Sequence, residues 1–138
     1  MFFFLLSALL AQPAAHAAPP AAMVCTGVDG NLPAALAPWI HLSALTPILR
    51  PGVTIPATPG TTVTIEIAEA GTYGVAIDTG AWIDVSRDDQ PLRPAAHGHG
   101  PACSTIRKIV DFQLEPGRYT ILLSRTEATA VRLLVIRR

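Results

Sequence analysis

His97-Gly98-His99 is the densest concentration of chemistry in this chain. In an extended segment, residues two apart face the same side, so both imidazoles can converge on one ion. Gly98 and Gly100 leave the backbone free to bend them together. Imidazole ligands suit Cu, Zn, Ni or Fe. His41, Asp84 or Asp88 are the candidates for a third ligand, and Cys103 would add a soft thiolate for Cu(I) or Zn. The same residues also read as a glycine-rich structural or recognition loop that needs no cofactor, its histidines bonding backbone carbonyls. At this point both readings stand.

The surrounding residues suggest binding rather than turnover. Trp82, Asp84, His97, His99, Arg107 and Lys108 form the candidate binding set. Arg107 and Lys108 can contact an anion or a peptide; otherwise they belong, with Asp84, Arg87 and Asp111, to a face of surface ion pairs worth about 0–1 kcal/mol each. Trp82 either packs behind the loop or forms an exposed platform. A hydrolytic arrangement of Ser104, His99 and Asp111 lacks the strand-turn-helix elbow that presents a serine nucleophile.

Cys25 and Cys103 are the only cysteines. An even pair in an oxidising compartment forms a disulfide, and that bond would remove Cys103 from any metal site. The compartment follows from the N-terminus. Phe2 to Ala11 is an apolar run, broken at Gln12-Pro13 and followed by Ala15-His16-Ala17, the small-x-small pattern of a cleaved export signal. No Lys or Arg precedes the run. It is too short to span a bilayer, so no transmembrane anchor is expected after cleavage near Ala17 or Ala18. Cys25 lies too far past the run, behind Ala22-Met23-Val24, to be a lipidated cysteine. The domain expectation is a signal peptide over 1–17, an irregular Ala/Pro-rich leader over 18–30 and one domain over 31–138. Localisation is then periplasmic or secreted.

The charge balance is neutral, with ten basic and ten acidic residues. A nucleic-acid partner would need a basic face to neutralise phosphates, and no polybasic membrane patch is present. The partner expected is an envelope protein or a small ligand.

The elements that must hold these residues are short strands. Val63, Ile65 and Ile67 alternate with polar residues, which marks a half-buried strand. The same period runs through Tyr73, Val75 and Ile77, then Ala81, Ile83 and Val85, with Trp82 and Asp84 on the opposite face. It returns at Val110, Phe112 and Leu114, at Tyr119, Ile121 and Leu123, and at Val131, Leu133 and Val135. Glu115-Pro116-Gly117 is a strong turn signal. Arg50 to Gly60, with three prolines, reads as an edge or connector. Asn31 to Ile40 predicts a short helix capped by Asn31, limited by Pro38 and anchored through Trp39. The fold class predicted is all-β: an antiparallel, jelly-roll-like β-sandwich with a short N-terminal helix.

AGTYGVAIDTGAWIDV and AHGHGPACSTIRKIVDFQLEPGRYTILLS resemble a family of small exported proteins of alphaproteobacteria, some of which carry the label homogentisate 1,2-dioxygenase. The resemblance covers roughly Ala70 to Ser124, with a weaker LPAALAPW segment near the N-terminus. The label implies iron held by His97, His99 and a carboxylate. The paired GTY and PGRYT strands also resemble bacterial pre-peptidase C-terminal domains, which implies a non-catalytic accessory sandwich. Three functions are therefore carried forward. The first is a non-catalytic binding or interaction module of the cell envelope. The second is a periplasmic copper or zinc protein, and the third an iron dioxygenase.

Overall fold

The computed structural model describes residues 13–14 and 24–138. The expected cleavage point at Ala17 or Ala18, and nearly all of the expected export signal, lie outside the described residues. Among the described residues no helix is long and apolar enough to cross a membrane.

Two antiparallel sheets form a sandwich. One sheet holds β1 (Thr54–Ala57), β9 (Val131–Arg137), β3 (Gly71–Ile77), β7 (Lys108–Leu114) and β6 (Ala96–Gly98), in that order. The other holds β2 (Val63–Ile67), β8 (Gly117–Ser124), β4 (Trp82–Arg87) and β5 (Gln90–Pro91). The period-two residues fill the space between them. Ile65, Ile67, Tyr73, Val75, Ile77, Ile83, Val85, Phe112, Tyr119, Ile121, Leu133 and Val135 share one core. Each such side chain contributes roughly 1.5–3 kcal/mol of transfer free energy when buried.

Both inward tyrosines tie their strand to the turn before it. The Tyr73 hydroxyl donates to the Glu69 carbonyl at 2.7 Å, and the Tyr119 hydroxyl donates to the Glu115 carbonyl at 2.9 Å. This common device accounts for the likeness of AGTY and PGRY. Gly117, at φ 143°, leaves space that Arg87 uses to reach the Pro116 carbonyl and the Tyr119 hydroxyl.

The first sheet is covered on its outer face as well. Leu36, Trp39, Ala76, Ile106, Ile109, Leu134 and Ile136 make a second core there, which is why β9 is buried at consecutive positions rather than alternate ones. The covering element is a 3-10 helix, Ala34–Ile40. It differs from the expected helix in two respects. Pro33 rather than Asn31 stands at its start, without a side-chain cap, and Pro38 lies inside it. A 3-10 turn is a short, tight element set here by the docking of Leu36 and Trp39 more than by a cap. Thr54 Oγ1 donates to the Pro38 carbonyl at 2.7 Å and Arg132 donates to the Trp39 carbonyl at 3.0 Å, fixing the helix to β1 and β9.

Cys25 and Cys103 form a disulfide with Cα atoms 5.4 Å apart. It closes a span of 78 residues, a loop for which the chain-entropy account gives about 4–5 kcal/mol. Beside it, Asp29 accepts from the Thr105 amide and hydroxyl, and the Asp29 amide donates to the Cys103 carbonyl. The segment before the helix is thus fastened to the connection between β6 and β7.

Candidate functional site: a seam between the sheets

Three edge strands, β1, β2 and β5, are covered or short. Ser43 donates to Thr54 on β1, Leu49 bonds on both sides of Ile65 on β2, and β5 is only two residues long with a proline. The seam between β4 and the β6–β7 pair is different. β5 pairs only with Ser86 and Arg87, so among the described residues the first half of β4 has no neighbouring strand on that side.

Lys108, at the start of β7, crosses this seam. Its ammonium donates to the Ala81 carbonyl at 3.0 Å and lies 5.3 Å from the Trp82 ring centre. The Arg125 guanidinium lies 4.8 Å from the same ring. Cations are drawn to the electron-rich indole face. Trp82 Nε1 donates to Asp84 at 3.1 Å, and Trp82 remains 47% exposed.

Two clefts of about 280 Å³ each meet here. One has an apolar floor of Ile83 and Val110, walled by Trp82, Pro94, His97 and Lys108. The other is polar, lined by Gly80, His97, Gly98, His99, Arg107 and Lys108. His97 and Lys108 belong to both. Gly100 is required where the loop returns, because a side chain there would strike the Ile106 carbonyl oxygen at 2.1 Å.

The residues singled out in the sequence therefore come together around one seam. Trp82, His97, His99, Arg107 and Lys108 line the clefts, and Asp84 holds the indole. The expected metal ligands behave differently. No three His, Cys, Asp or Glu side chains gather among the described residues, so His41, Asp84 and Asp88 do not complete a site with His97 and His99. Cys103 is in the disulfide. His99 Nδ1 instead faces the Arg107 carbonyl at 3.4 Å. The iron reading needs a carboxylate beside the two imidazoles, and their cleft offers Arg107 and Lys108; this donor set does not fit iron. The hydrolytic arrangement also dissolves. Ser104 bonds the Pro101 carbonyl, and Asp111 faces Arg138 across the outer surface of the first sheet.

No family model matches the chain, and no curated protein matches it. Among solved structures, the pre-peptidase C-terminal domain of a collagenase from Bacillus anthracis is similar to it. That likeness has 17% sequence identity and a TM-score of 0.40, covering 64% of this chain and 91% of that one.

Sequence reasoning missed five parts of the seam. Arg125 and Pro94 carry no motif. β5 and β6 were hidden inside a stretch rich in Pro and Gly. The open edge of β4 depends on which strand stops early, which no residue type announces.

Proposed function

We propose that this protein is a non-catalytic binding module of the cell envelope, periplasmic or secreted, whose ligand is an anion with an apolar body. One observation carries the reading. Arg107 and Lys108 have no carboxylate partner among the ion pairs of the described residues; both line the polar cleft, and Lys108 also lines the adjoining cleft whose floor is Ile83 and Val110. Unpaired cations beside apolar surface complement a ligand with a negative group on a hydrophobic frame. The disulfide supports an oxidising compartment.

A copper or zinc site is the second reading, favoured by His97 and His99 sharing one cleft. The positive field of Arg107 and Lys108 opposes a second cation there. The experiment is a titration with anilinonaphthalene sulfonate, an anionic aryl dye. The expected result is saturable binding, weakened at least fivefold in Trp82→Ala and in Arg107→Gln. Equal binding by all three proteins contradicts the seam as the site.

A further inference from the structure

Strand geometry gives the seam a third recognition element, its main chain. Along a strand, backbone N–H and C=O groups alternate sides every residue. The Leu92 amide donates to the Val85 carbonyl at 2.8 Å from the β5 side. Lys108 takes the Ala81 carbonyl from the same side. The Gly60 amide donates to the Leu123 carbonyl at 2.9 Å, so Leu123, the partner of Ile83 on β8, turns its backbone away from β4. All three observations put the Ile83 N–H and C=O on the seam side. The carbonyls before and after it are bonded, and Ile83 itself has no partner on that side among the described residues. It lies in the apolar cleft.

We infer that the seam binds the C-terminal end of an extended peptide, a proposal that rests on the anion-binding reading above. The peptide lies antiparallel beside β4 and exchanges both main-chain hydrogen bonds with Ile83, as in strand addition to a sheet edge. Directly paired residues share a face, so the side chain opposite Ile83 points onto the floor of Ile83 and Val110 and must be apolar. Direction follows from charge. The cationic cleft lies at the Gly80 end of β4, so the terminal carboxylate lies there too. Ile83 and Gly80 are separated by roughly 10 Å of strand, at about 3.4 Å per residue. The carboxylate therefore belongs about two to three residues after the one paired with Ile83. Arg107 supplies a planar fork for it, and Lys108 keeps two N–H donors beyond its bond to Ala81.

The test uses an N-acetylated pentapeptide of alternating valine and threonine that ends in valine, as free acid and as C-terminal amide. Binding to the oxidised wild-type protein is read by tryptophan fluorescence, because Trp82 borders the cleft. The free acid is expected to bind saturably and the amide at least tenfold more weakly. Arg107→Gln should bring the free acid close to the amide. Among the described residues Arg107 donates no side-chain hydrogen bond, and it is exposed, so this variant should fold; a thermal melt matching that of the wild type checks that it has. Trp82→Phe should abolish the signal while calorimetry still detects binding. Equal affinity for acid and amide overturns the proposal. So does failure of the free acid under conditions where the aryl dye still binds, an outcome that leaves the anion-binding reading standing.

Discussion

The two tryptophans occupy matched settings with opposite outcomes. Trp39 donates its indole N–H to Thr105 at 2.8 Å, with Arg132 5.5 Å from the ring centre. Trp82 donates to Asp84, with Arg125 and Lys108 at its ring. Trp39 is completely buried, whereas Trp82 is 47% exposed. The difference lies in what covers each sheet face. The helix brings Leu36 and Trp39 onto the first sheet, where Ile109, Leu134 and Ile136 already project. Among the described residues no element covers the first half of β4, so Trp82 is oriented by polar contacts without being sealed in. One indole closes the fold and the other is displayed.

That contrast is broken most directly by truncation. Trp39→Ala should cost about 3–5 kcal/mol, the range for removing a large buried aromatic. It also strips Thr105 of a donor. Trp82→Ala should cost less than about 1 kcal/mol, as expected of an exposed side chain. Chemical denaturation of the two variants checks both values, and similar losses would erase the distinction between closing and displaying residue.

The disulfide stands between these regions, since Cys103 lies in the connection that carries both the seam residues and Thr105. Cys103→Ser should lower stability by about 2–5 kcal/mol. Binding of the aryl dye should weaken with it, because the loop from Gly98 to Arg107 then loses its tie to Cys25. Unchanged stability in denaturation curves would mean that Asp29 and the helix alone hold the loop.

The inner face was legible in the sequence because burial between two sheets leaves a period of two. Every inward series from Val63 to Val135 shows it. The outer face was less legible. β9 is buried at Leu133, Leu134, Val135 and Ile136 because two cores share it, and an alternating pattern describes only one of them. The site was readable as a set of side chains, since one of the two Trp, two of the four His and the only Lys fall within it. The metal reading rests on His-x-His spacing alone, which does not show that the neighbouring strand brings Arg107 and Lys108 into the same cleft. Ile83 looks like any core residue; its role lies in its backbone.

The smallest stability effects belong to the histidines. His97 and His99 are exposed, so His97→Ala and His99→Ala should each change stability by under about 1 kcal/mol. Micromolar copper or zinc should leave the wild-type Tm unchanged. A rise in wild-type Tm, absent in both variants, would show a metal linked to the native state and would favour the second reading of the seam.

Amide hydrogen exchange at Ile83 tests the open edge of β4 most directly. The Asp84 amide points to β8 by the strand's two-residue alternation and should be well protected. The Ile83 amide should exchange much faster in the free protein, although the residue is only 5% exposed. Saturating free-acid peptide should slow it selectively. Equal protection of Ile83 and Asp84 in the free protein, or no change at Ile83 when peptide is bound, would contradict the account.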